Sequence, residues 1–311
     1  MKKLIAILAA VLIINIAFPS CAATAAERVG AYIPGGDPLV LVIGLDDVAD
    51  NSDVIMAVRY SGENNRVSVV QIPRDTYFSA GTAQNKINQL TASARARGIG
   101  REEALSRLTG EMSSVLGAEL DGYVAFTPEG FVHIVDSVGG VDMTLPEDYS
   151  APSDMGLSLC AGENHLDGES AARFIRYRAG YSSGDIGRLD AQKLFMEAFR
   201  KKLTSLSLPE LVSLLRTARE HLITNIPLGE TVAFATRSFR KLKSAAATYL
   251  TLPGEPAMSD TGASYYVVCR AAAERAVRDY LLVSGGFDPQ RRLLNPDIPE
   301  FAEIYKREKT E

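Results

Sequence analysis

Leu39-Val40-Leu41-Val42-Ile43-Gly44 is a continuous apolar run with no polar partner for any second residue. A strand with one wet face alternates, so an unbroken run of this length reads as a strand buried on both faces, as in an α/β sheet. Outward from it, Val54 to Tyr60 and Arg66 to Ile72 are further strand-like runs, joined through the turn-rich Ser61-Gly62-Glu63-Asn64-Asn65 as a hairpin. Glu102 to Leu116 has helical periodicity and stops at Gly117. Tyr123 to Phe126 reads as a strand, and Pro128 to Val138 as a helix with proline in its first turn, ended by Gly139-Gly140. Val141 to Leu145 is a strand. Helices are expected at 167–175, 187–206, 208–219, 228–240 and 271–282, and strands at 247–252 and 264–268. Strands and helices alternate without a linker, which predicts one three-layer α-β-α domain, a central mixed sheet with helices on both faces. We place it at residues 38–285, after a 27–37 linker and before a 286–311 tail.

The composition excludes several classes. The 311 residues are 46% hydrophobic, ample for a core, with a formal net charge of −5 and no tryptophan. There is no long basic run and no basic patch interleaved with aromatics, which argues against a nucleic-acid partner. Three scattered histidines (His133, His165, His221) and no Gly-x-Ser-x-Gly elbow argue against a zinc centre or a serine hydrolase.

Met1-Lys2-Lys3 followed by the apolar run Leu4 to Phe18 has the form of an export signal. The run is shorter than the roughly 20 residues of a membrane span. Residues 1–26 therefore read as an export signal or a membrane or lipid anchor. Cys21 is a candidate lipidation site, the small residues Ala22 to Ala26 offer a cleavage site, and an uncleaved anchor is the third alternative. Each places the remainder outside the bacterial cell membrane, anchored or secreted to the wall. Cys160 and Cys269 could pair in that compartment, but nothing local brings them together.

The chemistry gathers in two places. Arg176, Arg178 and Arg188, with Gly184-Asp185-Ile186-Gly187 and Gln192-Lys193, concentrate guanidinium groups in an acidic chain. Arginine grips phosphate oxygens as a planar fork and stays charged, so this segment reads as an anion holder. Arg188 is expected near a helix N-terminus, where free amides also favour anions. The plain alternative is a solvated basic loop. The second place is the end of the first strand, where open α/β sheets bind ligands. Asp46 and Asp47 lie just past it and Asp53 opens the next strand. Asp46 and Asp53 could hold Mg²⁺ or Mn²⁺ against a phosphate, or simply cap turns. Arg74-Asp75 ends a further strand, either as a surface ion pair or as an anion holder beside a base.

Taken in order, Val42-Ile43-Gly44-Leu45-Asp46 with Asn51-Ser52-Asp53, Gln71-Ile72-Pro73-Arg74-Asp75-Thr76, and Lys86-Ile87-Asn88 resemble the motifs of the LytR-CpsA-Psr family. So do Glu129-Gly130-Phe131 through Val135-Asp136, Gly139-Gly140-Val141, and the block from Arg176-x-Arg178 to Gly187-Arg188-x-x-x-Gln192. The resemblance runs from about 38 to 205 and more weakly to about 283. It implies a phosphotransferase that attaches undecaprenyl-pyrophosphate-linked glycopolymers, such as teichoic acid or capsule, to peptidoglycan. The product is a phosphodiester and undecaprenyl phosphate leaves. By the same resemblance Arg74, Lys86, Arg176, Arg178, Arg188 and Gln192 would bind the pyrophosphate, and Asp46 and Asp53 the Mg²⁺. Arg74, Asp75 and Asp185 would be catalytic, with either aspartate accepting the proton of the muramyl hydroxyl. The chain departs from the family at Val48 and Asn51, where arginines are usual, at Ala191, often arginine, and at Gln89, often histidine. The alternatives are an envelope protein that binds polyprenyl phosphates without turnover, or a pyrophosphate hydrolase.

Overall fold

A computed structural model describes residues 37–78, 85–150, 156–176, 185–259 and 262–281. The expected anchor, linker start and C-terminal tail lie outside these residues. The described chain forms two compact units, one holding Phe126–Ile223 and Pro227–Ser244, the other the residues up to Ala125, Thr224–Ile226 and those from Ala245 onward.

The second of these is built on a six-stranded mixed sheet. In chain order its strands are β1 (Leu39–Leu45), β2 (Ser52–Ser61), β3 (Arg66–Ile72), β4 (Gly122–Phe126), β9 (Ile223–Thr224) and β10 (Ala246–Thr251), arranged β10-β3-β2-β1-β4-β9. β1 pairs antiparallel with β2 and β2 with β3, while β10 runs parallel to β3. Every residue of β1 is buried, as its unbroken apolar run requires, and Val40, Leu41, Val42 and Ile43 are fully so. Each such side chain contributes about 1.5–3 kcal/mol when withdrawn from water. Asp121, just before β4, ties that strand to the first: its amide donates to the Leu39 carbonyl (2.8 Å) and its carboxylate accepts from the Leu39 amide (2.7 Å). Helices α1 (Gln89–Ala96), α2 (Arg101–Leu116) and α8 (Arg270–Tyr280) belong to the same unit, α1 packing on β2 and α8 on β3. A two-stranded sheet, β11 (Gly254–Met258) with β12 (Ser264–Val268), completes it.

The other unit contains α3 (Pro128–Ser137), α4 (Gly168–Arg176), α5 (Asp185–Ser205), α6 (Leu208–Arg219) and α7 (Leu228–Ser244). Two two-stranded antiparallel sheets accompany them, β5 (Val141–Leu145) with β8 (Gly162–Leu166), and β6 (Tyr149–Ser150) with β7 (Ser158–Leu159). Thr127 caps α3 through the Gly130 amide and Pro128 occupies its first turn. Gly139 and Gly140, with φ of 73° and 71°, end the run that follows it. The Phe131 ring meets Phe195 at 6.0 Å, and Phe195 stacks on Phe199 at 5.9 Å. Asp136 on α3 accepts the amide of Gly168 at 2.7 Å, and a Cβ on Gly168 would stand 2.3 Å from the Val132 carbonyl oxygen. The close approach of α4 to α3 therefore needs glycine there. The family-like Glu129–Asp136 and Gly139-Gly140 motifs are thus accounted for by capping, packing and chain reversal.

Candidate functional site

β1 and β2 lose register at their ends. Gly44 faces Val54 but Leu45 faces Ser52, so Asp53 is the extra residue of a bulge. Bulges of this kind re-aim a side chain at the end of a ladder. The amides of Asp46 (2.9 Å) and Asp53 (3.1 Å) both donate to the Asn51 carbonyl, which makes the two aspartates neighbours at one sheet end. Asp46 folds the intervening turn around itself. Its Oδ1 accepts from the amides of Val48, Ala49 and Asn51 (3.3, 2.9 and 3.1 Å), and its Oδ2 from the Asn51 side-chain amide at 2.7 Å. Burial is the largest single influence on this carboxyl and pushes upward, but these donors together hold it below the usual carboxylate value. Asp46 is therefore the turn cap that its type allows, and Asn51, standing where the resembling family has arginine, serves that cap.

From Asp53 a row of alternating charge extends along the chain after β3. Arg74 Nη1 donates to Asp53 Oδ1 at 3.0 Å, and Arg74 Nε lies 3.7 Å from Asp75 Oδ2. Lys86 Nζ donates to Asp75 Oδ1 at 2.8 Å and sits 5.6 Å from the centre of the Tyr265 ring. Burial is the largest influence on Arg74 and opposes its charge, yet Asp53 and then Asp75 outweigh it and hold the guanidinium above its ordinary value. The backbone fixes the row although Arg74 and Asp75 lie beyond the strand. The Tyr266 amide donates to the Asp75 carbonyl (2.9 Å), the Ile87 amide to Thr76 (3.0 Å) and the Asn88 amide to Arg74 (3.3 Å). The side chains of Asp53, Arg74 and Asp75 are 37%, 46% and 43% exposed, so a solute can reach them, whereas Lys86 is 17% exposed.

The second expected cluster is placed only in part. Arg176 is the last residue of α4, Asp185 the first of α5, and Arg188 and Gln192 lie in the first turns of α5. Arg188 thus stands near a helix N-terminus as read from the sequence. The side chains of these four, and Arg178 altogether, lie outside the described residues.

The sequence reading passed over Asp50, Arg95 and Arg101. Asp50 is 8% exposed and has a left-handed φ of 62°, a conformation that costs a non-glycine residue of order 1–3 kcal/mol. Its carboxylate is clasped by Arg95 Nε (3.0 Å), Arg101 Nε (3.1 Å) and Arg101 Nη2 (2.8 Å).

Two carboxylates on neighbouring backbone positions suit a hard cation that completes its shell with phosphate oxygens and water. Asp46 and Asp53 would meet that description through their Oδ2 atoms, since Asp46 Oδ1 is taken by three backbone amides and Asp53 Oδ1 by Arg74. Among the described residues no group of three or more His, Cys, Asp or Glu side chains could cage a metal without such outside ligands. Neither Cys160 nor Cys269 is in a disulfide.

Fold and site together define an α/β protein that presents paired carboxylates and cations at the end of a mixed sheet, the equipment for a phosphate-bearing ligand. The LytR_cpsA_psr family profile matches residues 33–279, and the chain belongs to that family. It is 30% identical over 205 residues to the polyisoprenyl-teichoic acid–peptidoglycan teichoic acid transferase TagV of Bacillus subtilis, covering 62% of this chain and 51% of TagV. It is 28% identical over 253 residues to TagU of Bacillus cereus (strain AH820), which carries the same transferase description, covering 80% of each. The crystal structure of B. subtilis TagV superposes with a TM-score of 0.62 at 25% identity, over 80% of this chain and 98% of that one.

Proposed function

We propose that this protein transfers a glycopolymer from an undecaprenyl-pyrophosphate-linked precursor to a muramyl hydroxyl of peptidoglycan. The observation that carries the proposal is the exposed Asp53–Arg74–Asp75–Lys86 row at the sheet end, in a chain related to two named teichoic acid transferases. In the step itself, the hydroxyl oxygen bonds to the glycan-bearing phosphorus and the bond to the bridging oxygen breaks. Undecaprenyl phosphate leaves with that oxygen, and the hydroxyl proton passes to a carboxylate. Asp75 and Asp185 are the two candidates for that proton. Arg74 presents a forked donor to the charge that grows on the leaving phosphate, and Lys86 is a compact cation one carboxylate away. Arg176, Arg178, Arg188 and Gln192 are assigned to the same anion by family likeness. Asp46 and Asp53 would hold Mg²⁺ or Mn²⁺, which supplies further neutralisation of pyrophosphate charge when bound. With the chain's 1–26 segment as export signal or anchor, the reaction takes place on the outer side of the cell membrane.

The test is to incubate the protein with a labelled polyprenyl-pyrophosphate glycan, Mg²⁺ and peptidoglycan chains. Transfer gives polyprenyl monophosphate and label bound covalently to peptidoglycan. Monophosphate with free glycan phosphate marks a hydrolase. No release from a protein that still binds the lipid marks a binding module and overturns the proposal.

A further inference from the structure

We infer that Asp50, clasped by Arg95 and Arg101, is a positioning residue that sets the loop carrying Asp46 and Asp53; this rests on the proposed role of that loop in holding the pyrophosphate and its cation. The loop between β1 and β2 has no ladder partner to hold it. Beyond the hydrogen bonds of Asp46, its anchorage comes from α1 and from Arg101 of α2. Asn88, Thr91 and Arg95 follow one another at spacings of three and four, one stripe of that helix. The Asn88 carbonyl accepts the Ser52 amide at 2.9 Å, the Thr91 hydroxyl meets the Ser52 hydroxyl at 3.1 Å, and Arg95 takes Asp50. Ser52 and Thr91 are both fully buried. Arg95 is itself steadied, since its Nη1 donates to the Ile99 carbonyl at 3.0 Å.

Two features of this clasp run against local preference. Asp50 is held in a left-handed conformation although it is not glycine. Arg101 is the first residue of α2, where the helix dipole disfavours a cation. Each is explained by the other: the inverted turn swings the Asp50 carboxylate inward, and Arg101 is there to meet it. The consequence lies one residue on. Asn51 follows Asp50 directly, and its carbonyl accepts both the Asp46 and the Asp53 amides while its side-chain amide donates to the Asp46 carboxylate. Fixing Asp50 therefore fixes the atom on which both candidate ligands hang.

The test compares the parent chain with Asp50→Asn, which keeps the shape and removes the charge. Hydrogen–deuterium exchange should show the amides of residues 46–53 exchanging about tenfold faster or more, as expected when a charge-assisted anchor is lost, while those of β1 stay protected. Mn²⁺ affinity, measured by electron paramagnetic resonance with inorganic pyrophosphate present, should fall by a similar factor, and transfer should lose kcat more than KM. Arg101→Gln removes one arm only; it should give the same changes at smaller size, and it decides the matter if Asp50→Asn does not fold. Unchanged exchange at 46–53 overturns the clasp. Faster exchange with unchanged Mn²⁺ affinity and unchanged turnover overturns its positioning role. If the parent binds no Mn²⁺ and transfers nothing, the functional reading has failed, and the exchange result still supports or overturns the clasp.

Discussion

Arg74 serves two carboxylates at once, and its guanidinium plane is what lets it do so. Nη1 addresses Asp53 while Nε faces Asp75, a division a lysine ammonium cannot reproduce. Arg74→Ala should weaken binding of a polyprenyl pyrophosphate by about 1.5–3 kcal/mol, the worth of a hydrogen bond to a charged group. Arg74→Lys should recover only part of it in the same titration. The two aspartates of the loop should separate cleanly. Asp46 accepts three backbone amides and one side-chain amide, so Asp46→Ala should cost both activity and about 1–3 kcal/mol of stability from amides left without a partner. Asp53 lies in a bulge and is more than a third exposed. Asp53→Ala should therefore abolish Mg²⁺-dependent transfer with little change in melting temperature. Full activity of the parent in EDTA would remove the metal from the scheme.

Among the elements, what was legible depended on whether local chemistry alone determined the structure. β1 announces itself because both its faces are dry. α3 does so through Pro128 in its first turn and the Gly139-Gly140 stop, and the start read for α6 coincides in the structure with a capping box of Ser207 and Glu210. α1 went unread because Gln89 to Ala96 has little apolar periodicity; its place is set by polar contacts to Asp50 and Ser52 from far along the chain. β11 carries Pro256 in a two-stranded sheet, a residue that lowers any strand reading, and β8 buries only Leu166. The bulge at Asp53 and the burial of Asp50 are tertiary facts with no sequence signature. Two predictions belong here. Gly168→Ala would press a methyl to within 2.3 Å of the Val132 carbonyl oxygen and should destabilise the protein by about 1–3 kcal/mol in chemical denaturation. Asp121, at the junction of β1 and β4, has its carboxyl raised chiefly by burial. The folded state thus binds this proton more tightly than the unfolded chain, so stability from this group falls as pH rises from 3.8 through the folded value. Asp121→Asn should flatten that part of the stability–pH curve, and an unchanged slope would show that the group does not titrate there.

For the whole molecule the open issue is the fate of the activated phosphorus when two acceptors compete for it. Water is present at high concentration, but a sugar hydroxyl held in line with the leaving group has an effective concentration of order 10⁵–10⁸ M in well-oriented cases. The residues proposed to hold the anion would be the same for either acceptor, so it is not the arginines and aspartates that distinguish a ligase from a hydrolase. The acceptor can. If the site is built for transfer, omitting peptidoglycan from the reaction should lower polyprenyl monophosphate release by about a hundredfold or more, because only water then remains and nothing orients it. Adding peptidoglycan chains should restore release in a saturable manner, each monophosphate matched by one glycan bound. Release at the same rate with and without peptidoglycan would mean that water is the natural partner of this phosphorus, and that the chain shares the family's anion site without its transfer chemistry.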